Sequence, residues 1–153
     1  MPSDWALAAR ILVGMTLAFI IGFERQLRGS PAGDRTFALV GLAATAVTAV
    51  MVRTSPQAIA GVVTGVGFIG AGVVFHAENT FVKGITTASA IFATAGLGIV
   101  VGSGHLLLGC VTASALLLML ELRNIPALRR LDARRYADRF RNDNEPPKPG
   151  TTR

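Results

Sequence analysis

The sequence predicts an all-α transmembrane protein, a compact bundle of about five membrane-spanning helices with the amino terminus outside and the carboxyl terminus cytoplasmic. Three observations predict it. No Asp, Glu, Lys or Arg occurs over residues 36–52, 54–77 or 84–120. The chain is 51% hydrophobic and 16% charged, where soluble domains carry about 25% charged residues. Positive charge is segregated rather than mixed among the apolar runs. A membrane span needs about 20 apolar residues, within a range of roughly 17–25. A chain of 153 residues cannot wrap that many apolar helices in protein of its own.

The first span is read at 5–23. It resembles a signal peptide in length but lacks a basic leading region, and Glu24 and Arg25 follow it in place of a small-residue cleavage site, so it is expected to be retained. The second and third spans are read at 36–52 and 57–75. The uncharged stretch 84–120 is too long for one ordinary span. Gly102, Ser103 and Gly104 divide it into 84–101 and 105–120.

Charge orients these spans. With five spans and the amino terminus outside, the inner segments 24–35, 76–83 and 121–153 hold 3, 1 and 9 of the 15 basic residues. Arg53 is left for an outer linker and Arg10 lies within the first span. This is the lysine and arginine bias of cytoplasmic segments, and it removes the need to read the net charge of +6 as nucleic-acid binding. The expected partners are the lipid bilayer, further copies of the chain, and a membrane ATPase or transporter, with no nucleic acid.

Small residues recur at four-residue spacing on several spans: Gly14, Ala18 and Gly22; Gly41, Thr45 and Ala49; Ala90, Thr94, Gly98 and Gly102; Gly109 and Ala113. Such faces allow close backbone approach in lipid, where apolar burial no longer drives helix association. The third span, with Gly61, Gly65, Gly67, Gly70 and Gly72, reads either as a close-crossing centre or as a locally broken helix suited to a binding site, the former preferred.

Polar candidates concentrate at span ends. Arg10 is either an outer anchor or an inward-facing functional charge. Glu24, Arg25, Arg28, Asp34 and Arg35 put two carboxylates and three arginines into the loop after the first span. Glu24 and Arg28 are spaced for an i,i+4 pair, and Asp34 is placed to cap the second helix. The loop reads either as a salt-bridged collar or as a site that grips a partner or an ion. Two carboxylates among three arginines make a poor magnesium cage, and His76 and His105 have no pairing motif for zinc. Glu78 and Lys83 mark the second inner loop, and Thr86 and Thr87 open the fourth span. Glu121 ends the fifth span. Cys110, the single cysteine, leaves no partner for an internal disulfide.

Residues 123–141 form an arginine-rich segment with apolar positions on about half of a helix, expected to lie on the anionic inner leaflet. Residues 142–153, with Pro146, Pro147 and Pro149, are expected to be disordered. The sequence holds no phosphate loop, no HExxH and no nucleophile with its base. No enzyme, metal site or cofactor is expected.

The stretches Ile21-Gly22-Phe23-Glu24-Arg25-Gln26-Leu27-Arg28-Gly29, Ala32-Gly33-Asp34-Arg35-Thr36, Gly65-Val66-Gly67-Phe68-Ile69-Gly70-Ala71-Gly72 and Lys83-Gly84-Ile85-Thr86-Thr87-Ala88 resemble, in order and spacing, the membrane domain of the MgtC/SapB family over roughly residues 8–122. The resemblance implies a membrane domain at 1–122 in a non-enzymatic bacterial inner-membrane protein. It also implies a link to magnesium limitation and, in intracellular pathogens, to survival inside phagocytes. The function implied is regulation of, or assistance to, a membrane ATPase, with a small oligomeric transporter or channel as the alternative. The family's signature polar positions fall on Glu24, Arg25, Arg28, Arg35, Lys83, Thr86 and Thr87. Asp34, Lys83 and Phe92 depart from the usual residues, and the short basic tail resembles the SapB-like branch, without the α/β domain that ends longer members.

Overall fold

The computed structural model describes residues 2–75 and 84–122. Five helices lie in them: α1 (Asp4–Leu27), α2 (Asp34–Met51), α3 (Gln57–Phe75), α4 (Ile85–Gly102) and α5 (Leu106–Glu121). α2 to α5 begin and end within about two residues of the expected spans, whereas α1 runs past its expected end at Phe23, through Glu24 and Arg25, to Leu27. His76, Glu78, Lys83 and the 123–141 and 142–153 segments lie outside the described residues. Contacts divide the chain into two units, Met1–Leu117 and Leu118–Arg153. The second contributes the last turn of α5, ending at Glu121. The first is an all-α bundle.

Four helices, α1 to α4, are long and apolar enough to cross a membrane. The 16 residues of α5 rise about 24 Å, short of a hydrocarbon core of about 30 Å. Local signals set the ends. Ser3 caps α1, its hydroxyl accepting the Ala6 amide at 3.4 Å, and Asp4 places a carboxylate in the first turn. Pro56 immediately precedes α3. The expected break between the last two spans is present. α4 ends at Gly102, Gly104 has φ +95°, and its amide donates to the Val101 carbonyl while that of His105 donates to Val100. This is a Schellman turn, which satisfies two carbonyls left free by the helix end.

The core lies among α1, α2 and α4. Gly14, Ala18, Ile21 and Gly22 are buried on α1, Gly41, Ala44, Thr45, Thr48 and Ala49 on α2, and Ala90, Thr94, Gly98 and Gly102 on α4. These include the small-residue faces read from the sequence. Gly41 rests against Ala18, and the Thr45 hydroxyl occupies the place where a Gly14 side chain would begin. A β-carbon on Gly98 would stand 2.8 Å from that of Ala44, and one on Gly102 would stand 2.7 Å from the Thr45 carbonyl oxygen. The absence of those side chains lets the helices touch backbone to backbone, the geometry that makes dispersion effective in lipid. Thr94 returns its hydroxyl to the Ala90 carbonyl at 2.8 Å, whereas the buried hydroxyls of Thr45 and Thr48 have no hydrogen-bond partner. Thr45 instead lies over a glycine backbone, where a weak Cα–H···O contact is available.

The third helix differs from expectation. α3 is continuous, so the broken-helix reading fails, and it is not a close-crossing centre within this chain. Of its described side chains Val66 alone is buried, and a β-carbon added at Gly61, Gly65, Gly67 or Gly72 would meet nothing within 4 Å. Gly70 is the exception, facing Ala88 of α4 at ordinary contact distance. The spacing revealed a face capable of close packing. It carried no information on whether the packing partner lies in the same chain.

The two classes of glycine predict opposite responses to one methyl group. Gly102→Ala is expected to lower stability by about 1–3 kcal/mol, the ordinary cost of overpacking, because the obstructing atom is backbone. Gly65→Ala is expected to leave stability unchanged or slightly raised, since alanine is the better helix former. Thermal unfolding of the two variants in detergent checks both signs.

Candidate functional site

The polar residues predicted around the first loop are brought together by the way α1 ends. Arg28 caps the helix and Gly29 takes φ +66°. The Gly29 amide donates to the Gln26 carbonyl at 3.0 Å and that of Ser30 donates to the Arg25 carbonyl at 3.1 Å. This is a second Schellman turn, and glycine is the residue that adopts its positive φ without strain. The turn fixes Ser30, whose hydroxyl lies 2.8 Å from that of Thr87 in the first turns of α4. A buried bond between two short side chains thereby ties the α1–α2 loop to the start of α4.

Next to that tie lies an ion cluster. Arg25 Nε donates to Glu24 Oε2, and Arg25 Nη2 donates to Glu24 Oε1 at 2.6 Å. Arg28 Nε reaches Glu24 Oε1 at 3.3 Å, the i,i+4 pair expected from spacing. The Glu24 and Arg25 side chains are 12% and 11% exposed. Neighbouring residues on a helix do not ordinarily face each other. Here Arg25 belongs to the buried face of α1, and the Glu24 carboxylate joins it where the helix emerges from the core. Burial in a low dielectric makes such a two-pronged pair strong and its disruption costly.

The other half of the loop is built differently. Gly33 is the N-cap of α2, and Asp34, expected as the cap, is instead its first residue. The Gln26 side-chain oxygen rests in the space a Gly33 β-carbon would take. Asp34 accepts the Arg35 amide at 2.6 Å, so it satisfies a free amide at the helix start, although from inside the helix. Arg35 is exposed and its side chain makes no hydrogen bond or ion pair among the described residues. Glu24 and Asp34 therefore do different jobs, one held by arginines and the other by backbone. Among the described residues no group of three or more His, Cys, Asp and Glu side chains converges.

Thr86 is exposed, while Thr87 is buried and bonded. Gly84, with φ +90°, caps α4 in their place, its backbone close to the Val73 carbonyl of α3. Arg10 lies at the far end of α1. It is half-buried and donates from Nη1 to the Gly102 carbonyl at 3.3 Å, and its guanidinium lies over Gly104. It thus completes the end of α4 with a cation where the helix dipole is negative. Sequence reasoning missed Ser30 and Gln26. Neither carries a charge, and their roles depend on a turn whose one sequence signal was Gly29.

Comparison with known proteins places these features in a family. Residues 11–127 match the family model described as the MgtC family. The chain belongs to the MgtC family. It is therefore a multi-pass inner-membrane protein of a non-enzymatic, magnesium-related family. An uncharacterized Haemophilus influenzae protein is 32% identical over 135 residues, covering 79% of this chain and 57% of that protein. A protein of Escherichia coli K12 named as a putative magnesium transporter, YhiD, is 39% identical over 133 residues, covering 76% and 61%. The protein MgtC of Salmonella typhimurium is 39% identical over 99 residues, covering 62% and 42%. This chain thus spans about three fifths or less of the length of these relatives. No solved structure matches it.

The site makes a graded prediction about MgtC-family stability in this chain. Glu24→Ala strands a buried guanidinium and is expected to cost about 3 kcal/mol. Arg35→Ala removes an exposed side chain and is expected to cost no more than about 0.5 kcal/mol. Unfolding midpoints of the purified variants in one detergent give the comparison.

Proposed function

We propose that this MgtC-family protein is a regulatory or accessory factor in magnesium homeostasis that acts by binding another integral membrane protein, a membrane ATPase or transporter. The observation that carries the proposal is the open glycine face of α3. A β-carbon added at Gly61, Gly65 or Gly72, which share one side of the helix, would meet nothing within 4 Å among the described residues, although Gly14, Gly41, Gly98 and Gly102 on α1, α2 and α4 are packed tightly against neighbouring helices. Apolar grooves of about 290 Å³ toward α2 and about 460 Å³ toward α4 flank this helix. A helix set slightly apart, with a face fit for close approach, suits a second helix as ligand.

In this reading five spans cross the membrane with the amino terminus outside, α5 being accommodated by local thinning of the bilayer. Glu24, Arg25, Arg28, Asp34 and Arg35 then sit on the cytoplasmic rim with Glu78, Lys83, Thr86 and Thr87. The Glu24–Arg25–Arg28 cluster serves as a rigid mount, and exposed Arg35 as the polar contact to the partner. The membrane domain at 1–122 is followed by a basic juxtamembrane segment at 123–141 and a tail at 142–153. Self-association through α3 belongs to the same chemistry.

The competing reading is a small oligomeric ion transporter or channel, and it draws on the name carried by the Escherichia coli relative. The glycine contacts close the α1–α2–α4 core, so a pore would have to run between copies. Proteoliposomes containing the purified protein alone separate the readings. A regulator gives no saturable magnesium uptake above empty vesicles, and substantial uptake would sink the proposal. In native membranes, photocrosslinking from position 68 or 72 is expected to capture a second membrane protein. Gly65→Leu and Arg35→Ala should reduce that capture at unchanged protein level.

A further inference from the structure

At the end of the bundle opposite Glu24 lies a cavity of about 490 Å³, lined on its polar side by Asp4, Arg10, Arg53, Thr54 and Ser103. Leu7, Val50 and Met51 contribute to its apolar wall. We propose that this cavity binds the phosphodiester headgroup of an anionic phospholipid.

Four observations carry the inference. Two arginines face one lone carboxylate across the lining, which leaves a surplus of one positive charge. Neither Arg10 nor Arg53 forms an ion pair among the described residues, unlike Arg25 and Arg28, which both pair with Glu24. Arg10 is pre-positioned, because its one hydrogen bond, to the Gly102 carbonyl at 3.3 Å, anchors the guanidinium at the wall and accounts for one of its five N–H donors. Arg53 is exposed and its side chain makes no hydrogen bond or ion pair among the described residues, so its donors are available. An arginine pair of which one member is already fixed loses little freedom on taking up a phosphate, which guanidinium matches in planar, two-pronged geometry.

The mixed lining selects the kind of phosphate. A soluble anion would gain from the arginines but would leave the apolar wall in water. A phospholipid offers a phosphate at headgroup level joined to glycerol and acyl carbon below it. The cavity sits where α1 begins and where α2 and α4 end, the level at which a bilayer presents its phosphates to spanning helices. Guanidinium groups at that level can pair with a lipid phosphate through charge-assisted, two-pronged hydrogen bonds. The hydroxyls of Ser103 and Thr54 donate to the Ile99 carbonyl and the Met51 sulfur, which leaves their oxygens to accept from the hydroxyls of a glycerol headgroup. Trp5, next to lining residue Asp4, is 86% exposed and places the chain's single tryptophan beside the site.

The test is competitive lipid retention by the full chain in neutral detergent. Phosphatidylglycerol is compared with phosphatidylcholine by native mass spectrometry, and Trp5 emission is followed in parallel. The wild-type chain is expected to retain phosphatidylglycerol preferentially. Arg53→Gln should cut that preference about fivefold, the equivalent of about 1 kcal/mol for one interfacial arginine, at unchanged unfolding temperature. Arg10→Gln should cut it at least as far but also lowers stability, which is why Arg53→Gln is the deciding variant. Asp4→Asn should raise retention, a sign that no purely structural role for these residues produces. Equal retention of the two lipids by the wild type, or an unaltered preference in Arg53→Gln, overturns the proposal. Displacement of phosphatidylglycerol by millimolar inorganic phosphate would also overturn it, by assigning the arginines to a soluble anion.

Discussion

The structure depends on the contact of α2 with α1 on one side and α4 on the other, made at Gly14, Gly41, Gly98 and Gly102. In water such helices would be held by leucine and phenylalanine withdrawn from solvent. In lipid that withdrawal gains nothing, since acyl chains solvate the same side chains equally well. What remains is shape: many weak atom contacts that accumulate when two backbones come together. Large apolar residues are therefore turned outward, with Phe68, Leu107, Leu39 and Leu12 all well exposed, and the centre is left to glycine, alanine and threonine. Phe37, Ile21, Ile91 and Leu97 are the large side chains that fill the gaps around those crossings.

Both ends of this core are closed by the same device. A Schellman turn with a glycine at positive φ ends α1 at Gly29 and α4 at Gly104, and an arginine stands at each: Arg25 supplies the carbonyl to one turn, while Arg10 lies over the other. The electrostatic solutions differ. Arg25 is neutralised by Glu24, its own neighbour in sequence, whereas Arg10 is balanced by a carbonyl and the negative end of a helix. An ion pair makes Arg25 a finished structural element. Arg10 keeps unsatisfied donors, and that difference separates a mount from a binding group.

Helix number, helix limits and the core faces could be read from the residues because each leaves a direct mark. Uncharged runs give lengths, Gly102-Ser103-Gly104 gives a break, and four-residue spacing of small residues gives the faces of α1, α2 and α4. The Glu24–Arg28 pair followed from helical spacing. Three features were not legible. The glycines of α3 resemble those of α4 in sequence, yet Gly98 and Gly102 of α4 pack against α2 while Gly61, Gly65 and Gly72 of α3 stand open among the described residues, and the choice of partner is a tertiary fact. Asp34 carries the chemistry of a cap, but the helix already includes it and the extended Gly33 before it takes the cap position. Ser30 and Thr87 are 57 positions apart, and nothing local announces their bond.

The order in which the core helices occur along the chain has a consequence for how the protein is made. α1 and α2 are adjacent in sequence, but the third core member, α4, follows only after α3 has been synthesised. The α1–α2 hairpin must therefore reside in the bilayer with its Ala44, Thr48 and Ala49 face uncovered until α4 arrives. Thr48 brings to that face a hydroxyl that has no hydrogen-bond partner among the described residues even in the finished core. During biogenesis that face is a docking surface for any other glycine-faced helix nearby, including α3 of the same chain, whose own small-residue face never becomes buried in the bundle. In the finished bundle that groove belongs to α4, whose Gly98 and Gly102 are set against Ala44, Thr45 and Thr48 of α2.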